Sequence, residues 1–258
     1  MIWPPFLQEL VDRASSPRAA FTDSDEPIRA ELFSVERLEQ HAESLAAAQR
    51  VTDDPGHGRP LAPRIRDNAR ALLESYRSLA EAIREERVVS PAAEWLVDNF
   101  HIVDEQVREI RDHLPPGFYR ELPKLAEKHL AGYPRVLGIA WAFVAHTDSR
   151  FDIEALRRFV RAYQRVQPLQ IGELWAVAIT LRIVLVENLR RLAERIVRAR
   201  LDRQRADALA NGLLGLSGRP AAEAATALAR LDRSALPRSF TVQLVQRLHA
   251  LVCTHESA

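Results

Sequence analysis

Between Pro91 and Leu114 the apolar residues Leu96, Phe100, Val103, Val107, Ile110 and Leu114 recur at steps of four and three. That spacing lines one face of a helix. Ser90 can cap the first turn, and Pro91 suits the position after it, where a missing N–H costs nothing. Pro115-Pro116-Gly117 stops the segment. One helix over 91–114 is expected, and other segments must cover its seam. The stretch holds no nucleophile, metal cage or phosphate loop, so its own chemistry is architectural.

The same periodicity recurs along the chain, and convincing strand alternation appears nowhere. Ser34 opens a helix through about Arg50, with Val35, Leu38, Ala42 and Leu45 on one side. Pro, Gly and Asp make 52–63 a loop. A helix over 64–86 sets Ile65, Ala69, Leu72, Tyr76, Leu79 and Ile83 on a narrow seam, forming an antiparallel hairpin with the next helix. Further helices are expected over 118–130, 134–146 and 149–166. Ser149 and Asp152 are spaced like a capping box for the last of these. A long helix from about Ile171 to Arg205 follows, then short ones over 220–231 and 239–252. The fold class expected is all-α, an irregular bundle of antiparallel helices. Its parts are an N-terminal arm (1–27), a main helical domain (28–205) and C-terminal short helices (206–258). No fixed-period repeat supports a solenoid.

Acidic and basic residues nearly cancel, 35 Asp+Glu against 36 Lys+Arg, which gives no bulk electrostatic case for nucleic acid. Cys253 is the sole cysteine, so an internal disulfide and a two-cysteine redox motif are excluded. Met1-Ile-Trp-Pro-Pro-Phe lacks a basic region and a long apolar core, unlike a signal peptide. The most apolar run, 174–186, is too short to span a bilayer and carries Arg182; it fits a buried helix. A cytoplasmic location is expected. Arg182 itself needs a partner that the sequence does not name.

Several constellations admit functional interpretations. Asp98 and His101 have the i, i+3 spacing of a carboxylate–histidine metal pair, with Glu94 and Glu105 nearby. No second pair stands out, and the seam turns Asp98, His101 and Glu105 away from the core, so a solvated face is favoured. His146-Thr-Asp148-Ser149 places triad residue types at a helix end, where capping and turn chemistry suffice. Asp23-Ser-Asp25 has a metal-holding spacing without the surrounding α/β fold. Arg191, Arg195, Arg198 and Arg205 share a helical stripe, interspersed with Glu187, Glu194, Asp202 and Asp207. A charge-laced surface is expected there, and a lipid-headgroup or partner-domain contact stays open. Trp95, Trp141 and Trp175 sit in apolar helical contexts, so core packing is expected.

Read together, several segments resemble the N-terminal region of bacterial cyclic β-1,2-glucan synthases. They include Ile28-Arg-Ala-Glu-Leu-Phe-Ser-Val-Glu-Arg-Leu, the 91–114 helix, Phe118-Tyr-Arg-Glu-Leu-Pro-Lys-Leu125 and Ala145-His-Thr-Asp-Ser-Arg150. Gln167-Pro-Leu-Gln-Ile-Gly-Glu-Leu-Trp175, Val186-Glu-Asn-Leu-Arg-Arg-Leu192 and Phe240-Thr-Val-Gln-Leu-Val-Gln-Arg-Leu248 continue the likeness, which covers roughly 28–248. The resemblance implies a parent inner-membrane glycosyltransferase that builds glucan from UDP-glucose, with a divalent metal, and cyclises it. Its spans and catalytic domains would lie after the matched region. No catalytic, cofactor-binding or metal residue is therefore expected in this chain. The implied role is a scaffold or interaction domain whose partner is the remainder of the synthase, near the cytoplasmic face of the inner membrane. A fragment and a free-standing module both fit a chain ending at Ala258. The alternatives are a free-standing helical adaptor for another protein and, after it, a helical metalloenzyme.

Overall fold

A computed structural model describes residues 26–52, 58–115, 117–127, 130–216, 220–231 and 236–255. Among these residues there are ten α-helices and one two-stranded sheet. The elements are α1 (Val35–Ala48), β1 (Val51–Thr52), α2 (Leu61–Arg84), α3 (Pro91–Asp98), α4 (Phe100–Asp112) and α5 (Phe118–Glu121). They continue as β2 (Lys124–Leu125), α6 (Arg135–Thr147), α7 (Ile153–Val166), α8 (Ile171–Leu213), α9 (Ala221–Ala229) and α10 (Arg238–His255). Two compact units divide between Glu194 and Arg195, called below the 24–194 and 195–258 units. The fold class is all-α, as the periodicity predicts.

Four elements depart from expectation. The single helix over 91–114 is two helices separated by Asn99, whose backbone sits at φ −103°, ψ 11°. Asn99 Nδ2 donates to Trp95 O at 2.8 Å, so a side-chain amide competes for helical carbonyls and breaks the ladder. The seam survives the break, with Ala93, Leu96, Val103, Val107 and Ile110 buried. The α2 seam runs through Leu61, Ile65, Asn68, Leu72, Ser75, Leu79 and Ala82, whereas Ile83 is exposed. Asn68 and Ser75 can take core positions because they are small, and Asn68 reaches a buried carboxylate. The expected 118–130 helix stops after one turn. Pro123 forces Leu122 into an extended backbone (ψ 144°), and Lys124–Leu125 then pairs antiparallel with Val51–Thr52. Two-residue strands are too short to show alternation.

The α7 cap is Asp152 rather than Ser149. Its carboxylate accepts from Glu154 N at 2.8 Å and Ala155 N at 3.1 Å. Ser149 has φ 62° and accepts from Asn188 Nδ2 at 2.8 Å instead. Asp152→Ala is expected to cost about 1 kcal/mol in urea unfolding, the usual worth of an N-cap. Wild-type stability in that variant would show that the cap contributes nothing.

In the 24–194 unit, α1 lies along α7 and runs parallel to it. Glu39 pairs with Arg158 (2.7 Å), and one turn on Glu43 pairs with Arg165 (2.8 Å). Between them in sequence, α6 is buried nearly all round, as predicted. Phe143 and Phe159 meet edge to face across the α6–α7 contact, with centroids 5.6 Å apart. Tyr76 and Phe100 stack between α2 and the start of α4, closing the expected hairpin.

The 195–258 unit has its own apolar cluster of Ala206, Ala210, Phe240, Leu244 and Leu248. Ser239 bonds Asp202 (2.7 Å) and Gln243 bonds Asp207 (2.8 Å). These steps advance together, so α10 runs parallel to the end of α8.

Candidate functional site

The buried face of α8 carries ionised groups in register with its apolar residues: Glu173, Ala176, Thr180, Ile183, Glu187 and Arg191. Glu187, 3% exposed, is the centre of a charged cluster. Arg64 on α2 grips it with two hydrogen bonds, Nε to Oε2 at 2.6 Å and Nη2 to Oε1 at 2.7 Å. Arg191, one turn along α8, donates to Oε1 at 2.8 Å. Aromatic faces cover both guanidinium groups: Arg64 lies 4.9 Å from the Tyr133 centroid, and Arg191 lies 4.9 Å from that of Trp141. Arg191 also reaches Glu26 O at 2.8 Å, and Asn188 Oδ1 accepts from Ile28 N at 2.6 Å. The segment before α1 is thereby tied to the middle of α8.

Burial pushes the Glu187 carboxyl up, but the bonds and charges of Arg64 and then Arg191 outweigh it and hold it below 4.5. Burial likewise lowers Arg64, and Glu187 more than restores it. The cluster is thus a set of fixed charges, two guanidinium groups sharing one carboxylate. General acid–base work needs a group titrating near the operating pH, and Glu187 is held below its ordinary range and Arg64 above its own. The unfolded chain protonates Glu187 near its ordinary value, so it binds more protons than the folded chain just below pH 4.5. This part of the stability is complete above about pH 4.5 and is lost as pH falls through the folded value. Glu187→Gln should therefore flatten the loss of unfolding free energy measured between about pH 5 and 3. An undiminished slope would assign acid sensitivity to other carboxylates.

A second buried pair joins Arg135 at the start of α6 to Glu173 in the first turn of α8. Trp141 also helps wall a cavity of about 200 Å³, lined by Leu45, Gln49, Leu125, Leu130 and Gly138. Gly138 permits this close approach, since a Cβ there would meet Leu125 Cδ1 at 2.8 Å and Gln49 Nε2 at 2.9 Å.

The constellations singled out in the sequence do not assemble. Glu94, Asp98, His101 and Glu105 lie on exposed helical surface. Among the described residues no group of three or more His, Cys, Asp or Glu could hold a metal ion. His146 engages Glu31 O at 2.7 Å, Thr147 donates to Phe143 O at 2.8 Å, and Asp148 pairs with Arg29 at 3.3 Å. With Ser149 on Asn188, four neighbouring side chains serve four separate contacts. Asp23 and Asp25 lie outside the described residues. Arg191 leaves the proposed surface stripe for the core, while Arg195, Arg198 and Arg205 are exposed. Arg182 is half-exposed and pairs with Glu109 on α4, which removes the problem of a buried lone guanidinium. Trp95 and Trp175 are not core residues; they are 56% and 74% exposed. Their helices pack through other faces, because Ala93 and Leu96, or Ala176 and Thr180, point inward. The 174–186 run supplies buried residues as expected, and no described helix is long and apolar enough to cross a membrane.

Comparison with known proteins matches this sequence to part of a far larger molecule. Over 232 residues, 90% of this chain, it is 35% identical to cyclic beta-(1,2)-glucan synthase NdvB of Rhizobium meliloti (strain 1021). The chain is related to that synthase. It spans 8% of the length of this curated relative. No family model matches the chain. The matched stretch is long enough to include both buried ion-pair clusters.

Proposed function

We propose that this chain is a non-catalytic helical module of the cyclic β-1,2-glucan synthase lineage, serving as a scaffold or docking surface for the remainder of such an enzyme. The observation that carries it is the likeness of nearly the whole chain to a small share of one synthase. The chemistry of the interior supports it: each of the buried carboxylates Glu187 and Glu173 is held by guanidinium groups and fastens helices together. An exposed surface on α8 supports the docking role. Ile171 and Trp175 are 70% and 74% exposed, with half-exposed Leu174 between them, on a helix whose opposite face is buried. UDP-glucose and a divalent metal would be handled by other parts of the parent enzyme. Near-balanced charge argues against a nucleic-acid partner. The module would work in the cytoplasm, at the inner-membrane face.

The test incubates the purified chain with labelled UDP-glucose and a divalent metal. No glucan is expected, and any metal-dependent synthesis would overturn the non-catalytic role. In a full-length synthase, a Glu at the position matching Trp175 should impair assembly, while Trp175→Glu in this chain shifts stability by no more than about 0.5 kcal/mol. Unchanged synthase assembly would remove this surface from the proposal.

A further inference from the structure

Residues 26–33 form a strap laid over the end of α6 and the middle of α8. Backbone bonds run from Ala30 N to Ala145 O (2.8 Å) and from Phe33 N to His146 O (3.1 Å). Where the strap meets α1, three rings come together. Phe33 stacks on His146 with centroids 4.0 Å apart and an interplanar angle of 10°. His41 on α1 closes the triangle, 4.4 Å from His146 and 5.4 Å from Phe33. His146 Nδ1 lies 2.7 Å from Glu31 O, so that nitrogen carries its proton and donates to the strap.

The carboxylates around this triangle are already engaged by guanidinium groups. On the strap, Glu31 pairs with Arg37 of α1 (2.8 Å), and Arg29 pairs with Asp148 beyond α6 (3.3 Å). Arg37 lies over the Phe33 ring at 4.5 Å. From α7, Arg158 is taken by Glu39 and Glu36, and Arg165 by Glu43. None of these contacts pairs a carboxylate with His41. A proton added to the half-buried His41 would therefore place a cation beside a second imidazole, with Arg37 one turn away.

We infer that the His41–His146–Phe33 triangle is an acid-released clasp, which seats the 26–33 strap at neutral pH and loosens it when His41 takes a proton. Burial, and then His146, hold the His41 imidazole below its ordinary 6.5. Releasing the strap removes the Phe33 cover and lets His41 return toward that value. The released form then binds more protons just below pH 6.5, so acid favours release, and the seated form is fully favoured above it. Release would uncover the end of α6 and the α8 side chains Asn188 and Arg191 that hold the strap.

The experiment is NMR on the whole chain, following the histidine ring protons and amide exchange at Ala30 and Phe33. Protection factors, corrected for intrinsic exchange, are expected to fall about fivefold or more between about pH 7.5 and 5.5. The fall should track the His41 titration, which should lie below 6.5. In His41→Phe the protection should persist and lose its pH dependence. Equal protection at both pH values, a His41 titration at or above 6.5, or an undiminished acid loss in His41→Phe would each overturn the clasp. Should His41→Phe fail to fold, the wild-type titration and protection decide the matter, with His41→Gln as the second non-titrating variant.

Discussion

Glu187→Ala is expected to destabilise the chain by about 3–5 kcal/mol, read as a lower urea midpoint, because it strands two guanidinium groups at once. Arg191 is 9% exposed and Arg64 21%, so neither can recover full hydration without moving its helix. Asn68 also loses its acceptor. The loss exceeds that of a surface pair because bulk water cannot replace the lost carboxylate where these guanidinium groups lie. Arg182 and Glu109 provide the internal comparison: both are more than one-third exposed, and Glu109→Ala should cost less than about 1 kcal/mol. If the two variants are equally stable, the cluster is not a determinant of this fold. The same substitution should loosen the strap, since Arg191 holds Glu26 O while bound to Glu187.

Much of the architecture was legible because a helix repeats its burial every three or four residues. Ser90 and Ser34 cap as expected, and the α6 apolar run is central. What was lost depended on competition between local and distant partners. Asn99 looks like an ordinary helical residue until its amide reaches Trp95 O. The short sheet depends on Pro123 ending a helix and on β1 lying next to β2, and the second of these is non-local. The interior charges were hidden for a different reason. Glu187 reads as one more charge in an arginine-rich helix, and its partner Arg64 is 123 residues away. A signal was present: Glu173, Thr180 and Glu187 continue the spacing of Ala176 and Ile183, so they lie on the apolar face. A charge at a core position predicts an opposite charge elsewhere, and α6 begins with Arg135 before an otherwise apolar run. The exposed Trp95 and Trp175 show the reverse, since helical phase and not aromatic identity sets which side chains are buried.

The Arg135–Glu173 pair allows a sharper test, because both side chains are almost wholly buried, at 4% and 0% exposure. Arg135 Nε donates to Glu173 Oε1 at 2.8 Å, and its Nη2 also reaches Glu173 and Pro168 O. Glu173 additionally accepts from Gln170 N at 2.9 Å, the reach-back bond of a third-position glutamate at a helix start. Arg135→Met leaves a carboxylate in the core with one amide for company, and Glu173→Met leaves a guanidinium there. Each should cost about 3–5 kcal/mol in urea unfolding. The double variant removes both charges and fills the space with apolar atoms, losing chiefly the Gln170 bond, worth about 1 kcal/mol. It should therefore be more stable than either single variant, giving a coupling of several kcal/mol. Additive losses would mean that the two residues act separately, through packing and capping. A recovered double variant would show that the pair contributes little net stability, and that its effect is to penalise any arrangement of α6 and α8 that parts the two charges.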